Sequence, residues 1–177
     1  VPFMANELHE RLEGRPVEDA AWPEPDEAFE SERIEVEERL VEELHEDVRD
    51  IVSVTGRDPA VVWVFTAADW KREVLETVVE VGPDVDEVMS EVMQQEELRE
   101  RGEGVHDLVQ SLIEAVRERT DGELASLRTV DETEVYRRAI DFLETEFDAE
   151  VTVVPEEDAD AEKAGQAEPF RPAILLE

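Results

Sequence analysis

Apolar residues recur at every third or fourth position along most of the chain, which predicts a fold dominated by helices. The longest such segment lies between Ser31 and Gly56 and predicts one amphipathic helix of about 24 residues. Ser31 can cap the start of this helix, and Gly56 can cap its end. The same periodicity predicts helices over residues 68–81, 85–101 and 105–119, and another that follows Asp131.

The helix after Asp131 carries a start signal of its own. Asp131 can cap it, and Glu134 occupies the position of a capping box. The residues expected to face inward along this helix are Val135, Ala139, Phe142, Leu143 and Phe147.

Two shorter segments have the composition of β-strands. Val61–Thr66 is apolar on both faces and rich in β-branched and aromatic residues, which predicts a buried strand in the middle of a sheet. Residues 150–154 place Val151 and Val153 on one face and predict a second strand, while residues 124–130 fit either a loop or a short strand. The expected fold class is therefore α+β and helix-dominated, with a small sheet of two or three strands packed with about four helices.

Proline-rich and acidic segments suggest four parts of the chain. Residues 1–24 contain a short amphipathic helix followed by prolines, and we interpret them as the end of a helical bundle whose other helices are absent or lie upstream. Residues 25–154 form the expected α+β domain. Residues 155–171 have few large apolar side chains, which predicts a flexible acidic loop. Residues 172–177 are apolar again, which is typical of a segment that returns to a sheet edge or meets a partner.

The chain is strongly acidic, with 51 Asp and Glu residues, 17 Lys and Arg residues and a formal charge of −34. Such a charge destabilises a compact chain by self-repulsion, but at about 1 M salt the Debye length falls to about 3 Å and screens it. Disorder is the alternative, yet 41% of the residues are hydrophobic and follow regular patterns. Abundant Asp and Glu with only Lys71 and Lys163 as lysines resemble the proteins of haloarchaea.

Residue types limit the chemistry that this chain can perform. It has no cysteine, which excludes disulfides, zinc–thiolate sites and a thiol nucleophile. It has no glycine-rich phosphate loop and no G-x-S-x-G motif. Its longest apolar run, residues 61–65, is far below the roughly 20 residues that span a membrane. We therefore expect no catalytic, cofactor or metal site and no membrane contact, and we expect a monomer in the cytoplasm.

Two charged patterns have both a structural and a functional interpretation. Glu42 and His45 have the Glu-x-x-His spacing of some di-metal bundles, but a solvated helix face explains them better in so acidic a chain. Basic residues also occur in local pairs, which are Lys71 with Arg72, Arg99 with Arg101, Arg117 with Arg119, and Arg137 with Arg138. Ion pairing with nearby glutamates is favoured over contact with phosphate groups.

Several motifs resemble those of one enzyme family. Residues 2–8 (PFMANEL) and 22–27 (WPEPDE) are similar to the end of the anticodon-binding bundle in class I aminoacyl-tRNA synthetases. The segment at 59–65 (PAVVWVF), Asp69-Trp70-Lys71 and residues 172–177 (PAILLE) then follow in the order seen in the C-terminal domain of archaeal leucyl-tRNA synthetases. The resemblance covers nearly the whole chain.

This resemblance implies a tRNA-binding appendage that reaches the long variable arm of tRNA(Leu). It assigns contacts with bases at the tip of that arm to Ile174 and Glu177. More weakly, it points to Pro172, Ala173, Leu175, Leu176, Lys71 and Arg72. An apolar side chain can cover an exposed base, and a carboxylate can accept a hydrogen bond from a base amine.

The resemblance also implies partners outside this chain. The catalytic body of the same synthetase would join leucine to tRNA using ATP and Mg²⁺, whereas the nucleotide-binding motifs are missing here, so this chain is expected to be inactive alone. A charge of −34 also departs from the basic surfaces that usually bind RNA. Two alternatives stay open: an appendage of an isoleucine or valine enzyme, and a stand-alone acidic interaction protein.

Overall fold

The computed structural model describes residues 32–177, together with residues 7, 10 and 11. The chain divides into two units, Val1–Ser31 and Glu32–Glu177, and the fold below is that of the second unit. Apart from residues 7, 10 and 11, the predicted bundle remnant lies outside the described residues, as do the proline-rich connector and the Ser31 cap.

Residues 32–177 contain eight α-helices and three β-strands. The helices are α1 (Glu32–Thr55), α2 (Asp69–Val81), α3 (Val85–Val92), α4 (Glu96–Glu100), α5 (Glu103–Arg117), α6 (Asp121–Leu127), α7 (Glu132–Arg138) and α8 (Ile140–Phe147). The strands are β1 (Val61–Thr66), β2 (Glu150–Pro155) and β3 (Ala173–Leu176). Two 3-10 helices, Glu156–Asp158 and Glu162–Gln166, lie between β2 and β3. The α+β class and the dominance of helices are as the sequence predicts.

The three strands form one mixed sheet in the order β2-β1-β3. The central strand β1 is parallel to β2, with Val62 opposite Val151, and antiparallel to β3, with Val62 opposite Leu176. This confirms the prediction of a central strand at Val61–Thr66. It also confirms that the apolar segment after residue 171 returns to the edge of the sheet.

The helices build the main core against one face of the sheet. Helix α1 ends at Gly56, which has a φ of 62° and donates its N–H to the Val52 oxygen at 2.8 Å, as expected for a C-terminal cap. Its buried stripe packs toward α6 and α7, while α2 packs on α3 and α5. The sheet contributes alternate residues to this core, namely Val62, Val64, Val151, Val153, Ile174 and Leu176.

Residues 155–171, here called the strap, cover the other face of the sheet. The expected flexible loop instead contains both 3-10 helices, and Ala164 and Ala167 are buried against Phe65 and Ala173. Alanine is small enough to let the strap backbone lie close to the sheet, while the acidic side chains between the alanines stay at the surface. A composition low in large apolar residues therefore conceals a packed layer.

A buried lysine joins the strap to helix α2. Lys71 is 5% exposed, and its Nζ donates to the backbone oxygens of Gly165 at 2.9 Å and Ala167 at 2.5 Å. The same Nζ lies 2.8 Å from Oε2 of Glu156, which also accepts from the Ala68 N–H. The ammonium group thereby replaces its lost hydration with three protein acceptors.

A buried carboxyl joins the strap to helix α7. Glu132 is 3% exposed and accepts a hydrogen bond from the Phe170 N–H at 3.2 Å. Burial raises the pKa of Glu132 to about 7, and the nearby Arg72 guanidinium and the Phe170 N–H oppose this rise. The neighbouring Tyr136 is fully buried, and burial likewise raises its pKa far above the usual value.

Two of the predicted helices are each divided in the structure. The helix expected over 85–101 is divided by a turn between α3 and α4, which lets Val92 and Leu98 both enter the core. The helix expected after Asp131 is divided at Ala139, and Phe142 is 49% exposed rather than inward. Asp131 does cap α7 by accepting from the Glu134 N–H at 3.2 Å.

Residues 124–130 belong largely to a helix rather than to a loop or strand. Thr120 and Glu123 form a reciprocal capping box at the start of α6. The sequence signal is the Thr120-x-x-Glu123 spacing, which lies just before the segment that looked ambiguous. The glycine at position 122 weakens the helical pattern, but the cap and the packing on α1 compensate for it.

We expect Lys71→Met to destabilise the protein, because it leaves Glu156 without its cation and two strap carbonyls without their donor. The loss should be on the order of 3 kcal/mol, as for breaking one side of a buried pair. Urea unfolding at about 3 M KCl, where surface repulsion is screened, measures it. Lys163→Met is the matched control, since Lys163 bonds Gln166 within the strap. Equal midpoints for both variants would contradict the role given to Lys71.

We expect the stability of the protein to fall as the pH rises from about 4.5 to about 7, partly because of Glu132. The folded pKa is about 7 against an ordinary 4.5, so the folded state holds this proton more tightly. The stabilisation from Glu132 is complete below pH 4.5 and is lost as the pH rises through 7. The free energy of unfolding changes by on the order of 3 kcal/mol.

Glu132→Gln should remove this part of the pH dependence, because glutamine keeps the acceptor oxygen but does not ionise. Urea unfolding of both proteins between pH 4.5 and 8 gives the difference curve. Glu134→Gln, on the exposed side of the same helix, is the control and should leave the slope unchanged. A constant difference between wild type and Glu132→Gln over this range would show that Glu132 is ionised throughout.

Candidate nucleic-acid interface

The residues assigned to RNA contact by family resemblance lie on the edge strand β3 and just after it. Strand β3 alternates, so Ile174 and Leu176 face the helical core while Ala173 and Leu175 face the strap. Pro172 is also buried. This pattern leaves Leu175 half-buried and Glu177 exposed, and the side chains open to a ligand are therefore a minority of the predicted set.

Ile174 occupies a different environment from the one its predicted role suggests. Its side chain is 7% exposed and packs with the helical core, opposite Val64 of β1. A nucleobase can therefore reach little of the side chain. The contact with RNA predicted for Ile174 remains a prediction, and the structure shows a core residue at this position.

Glu177 is held firmly although its side chain is exposed. Its backbone oxygen accepts hydrogen bonds from the N–H groups of Ala60 at 2.6 Å and Val61 at 3.0 Å, and its N–H donates to the Val61 oxygen at 2.9 Å. Its side-chain Oε2 accepts from the indole Nε1–H of Trp63 at 3.1 Å. The result is an exposed carboxylate on a fixed backbone, which can accept hydrogen bonds from a ligand.

Trp63 lies beside this carboxylate on the strap side of the sheet. It is half-buried and faces Phe65 at 6.4 Å between ring centroids, with the ring planes 4° apart. It also packs on the layer formed by the strap alanines. Sequence analysis identified Trp63 only as part of an apolar strand, because its pairing with Glu177 joins residues 114 positions apart.

The two basic residues in the predicted set have different positions. Lys71 is buried and fully occupied by the strap, so its ammonium has no access to a phosphate group. Arg72 is half-buried, and its Nη1 donates to the Val130 oxygen at 3.5 Å. It lines a cleft of about 370 Å³ with Arg128 and Arg137, but Asp69, Asp131 and Glu157 also line it, so the formal charges balance.

About half of the other basic side chains in residues 32–177 form ion pairs there, the interpretation that the sequence analysis favoured, whereas Arg99, Arg101 and Arg117 form none within these residues. Arg137 lies 2.8 Å from Glu134, Arg138 lies 2.9 Å from Glu37, and Arg128 lies 3.0 Å from Glu80. These pairs are exposed, so each contributes little to stability. The described part of the chain therefore presents no broad basic surface for RNA.

His45 does not form a metal site with Glu42 in the structure. Its ring instead contacts Phe142 and Phe147, with centroids 5.8 and 5.3 Å away, and its Nε2 lies 3.7 Å from Glu146. Among the described residues, no group of three or more His, Asp or Glu side chains is arranged to hold a metal ion.

A second cleft, of about 330 Å³, contains partly buried carboxylates. Burial raises the pKa of Glu43 and Asp47, while Arg119 beside Glu43 and Arg171 beside Asp47 oppose the rise. The Arg119 guanidinium lies 3.9 Å from Glu43 and 5.0 Å from the ring of Phe170. These contacts hold the strap against α1 and α5, and they explain the carboxylates as structural groups.

Comparison with known proteins finds similarity to leucine–tRNA ligases. It matches no protein-family profile. It is 38% identical over 178 residues to the leucine–tRNA ligase of Pyrococcus abyssi, with 99% of this chain aligned. It is 34% identical over 182 residues to that of Methanothermobacter thermautotrophicus and 35% identical over 179 residues to that of the halophile Halobacterium salinarum.

The chain spans 18% of the length of the Pyrococcus and Methanothermobacter relatives and 19% of the Halobacterium one. No helix in residues 32–177 is long and apolar enough to cross a membrane. The matched region is a C-terminal part of class I synthetases. Over nearly its whole length, the chain is therefore similar to a C-terminal part of archaeal leucine–tRNA ligases.

Proposed function

We propose that this chain binds tRNA(Leu) through its long variable arm and supports leucylation by the catalytic body of the same ligase. The observation that carries this proposal is the alignment of 99% of the chain with archaeal leucine–tRNA ligases. The chemistry with leucine, ATP and Mg²⁺ is assigned to the catalytic body, which this chain does not contain. We further propose that the chain is a cytoplasmic monomer.

The charge of the chain determines what kind of RNA contact is feasible. A formal charge of −34 repels a polyanion at low salt, and several arginines are paired with carboxylates. At about 1 M salt the Debye length is about 3 Å, so only groups in direct contact still interact strongly. The proposed interface therefore relies on hydrogen bonds and apolar contacts with bases.

The residues after strand β3 supply such short-range contacts. Glu177 presents a carboxylate that can accept from a base amine, and Leu175 and Trp63 present apolar surface beside it. Glu177 and Leu175 are therefore the side chains we propose for base contact. Ile174 is also proposed to contribute to this interface, from the core face of the strand. Pro172, Ala173 and Leu176 are buried and support this edge from behind.

The alternatives differ in what they would bind. An appendage of an isoleucine or valine enzyme would not depend on a long variable arm. A stand-alone interaction protein would not bind tRNA at all. The relatives named above are leucine–tRNA ligases, and they favour the first proposal over both.

We expect the chain to bind tRNA(Leu) in about 2–3 M KCl, a range in which screening is nearly complete, and to bind less well when the tip of the variable arm is deleted. Glu177→Gln should weaken binding roughly tenfold, the usual scale for a hydrogen bond to a charged group. Fluorescence anisotropy of labelled tRNA measures both effects.

Glu162→Gln is the matched control, because it removes one exposed carboxylate from the strap with the same change in net charge. It should bind as the wild type does. Equal affinity for the intact and the shortened tRNA would contradict recognition of the variable arm. Absence of binding to both would contradict a tRNA-binding role for this chain.

A further inference from the structure

We propose that Trp63 is a positioning residue for RNA recognition, and that it orients the Glu177 carboxylate toward the exocyclic amine of an unpaired base. This inference rests on the proposed function and deepens it. It assigns a specific task to a residue on the central strand that resemblance to the family did not single out.

The hydrogen bond between the two residues defines the direction of the carboxylate. The indole Nε1–H donates to Oε2 of Glu177 at 3.1 Å. An ionised carboxylate has about four acceptor positions, so one indole donor leaves several for a ligand. The bond also restricts the glutamate side chain before a ligand binds, so that less rotational entropy is lost on binding.

Both partners of this bond are themselves fixed. The backbone of Glu177 makes three hydrogen bonds with Ala60 and Val61 at the start of β1. The indole of Trp63 lies on β1, two residues further along, and packs against Phe65 and the strap alanines. The distance between donor and acceptor is therefore determined by the sheet and not by a mobile loop.

This arrangement suits recognition at high ionic strength. At 1 M salt the Debye length is about 3 Å. Long-range attraction therefore does little to bring a carboxylate to a base amine. A carboxylate that is already oriented needs no such attraction, because its contribution comes from a direct hydrogen bond. The indole N–H donor also offsets part of the cost of bringing a carboxylate close to RNA phosphates.

The test is a double-mutant cycle with Trp63→Phe and Glu177→Ala in the full chain, with binding measured in about 2–3 M KCl. Phenylalanine keeps an aromatic ring on the sheet but lacks the N–H donor. We expect Trp63→Phe to weaken binding to tRNA(Leu) roughly fivefold to tenfold. In the Glu177→Ala background the same change should have almost no further effect, because alanine leaves the indole no side-chain acceptor to orient.

A second tRNA identifies the partner of the carboxylate. In this tRNA the unpaired bases at the tip of the variable arm are all uridines, which have no exocyclic amine. The penalty of Trp63→Phe should disappear with it. Trp70→Phe is the matched control, since Trp70 contacts the Arg101 guanidinium at 4.5 Å and should bind as the wild type does.

A measurement without RNA separates this inference from the proposed function. The chain has three tryptophans, and the Trp63→Phe and Trp70→Phe variants assign two of the indole N–H signals in a ¹H–¹⁵N spectrum. Glu177→Ala should shift the Trp63 indole signal and leave the Trp70 signal unchanged. An unchanged Trp63 signal would overturn the hydrogen bond on which the inference depends.

The binding outcomes decide the remaining points. Wild-type affinity for Trp63→Phe would overturn the positioning role. A full Trp63→Phe penalty that persists in the Glu177→Ala background would also overturn it, because the indole would then act on the RNA directly. An intact Trp63–Glu177 bond in a wild-type chain that binds no tRNA would refute the proposed function, and the positioning role would fall with it.

Discussion

The fold depends on the need to cover both faces of one central strand. Strand β1 is apolar on both sides, so a sheet exposed on either face would leave large hydrophobic side chains in water. The helices bury Val62 and Val64 on one face, and the strap buries Phe65 on the other. Strands β2 and β3 then add to its two edges, and β3 brings Glu177 beside Trp63.

The strap can cover the second face only because its backbone is satisfied by buried polar groups. Lys71 supplies donors to two strap carbonyls, and Glu132 accepts from the Phe170 N–H. Two ionisable side chains are thus buried in a protein whose other charges lie mostly at the surface. The strap also packs against Trp63. By covering the sheet it therefore helps to fix a residue beside the proposed contact with RNA.

A strongly acidic surface and an RNA ligand are compatible when recognition is short-range. At high salt the repulsion between the chain and the phosphates is screened, and nonspecific attraction by arginines is weak for the same reason. Affinity must then come from oriented groups, and the exposed carboxylate of Glu177 is such a group.

The sequence alone determined the features that depend on local periodicity and capping. These are the long helix α1 with its Gly56 cap, the central strand β1, the strand β2 and the resemblance to a synthetase family. The sequence did not predict the packed strap, because alanine side chains are too small to produce a clear hydrophobic pattern. Only the structure shows that they pack against a sheet. The family resemblance assigned RNA contacts to Lys71 and Ile174, and only the structure shows that both side chains are buried, because burial depends on neighbours that are distant in the chain. The pairing of Trp63 with Glu177 likewise exists only because β3 docks antiparallel on β1, and that register is set by tertiary packing.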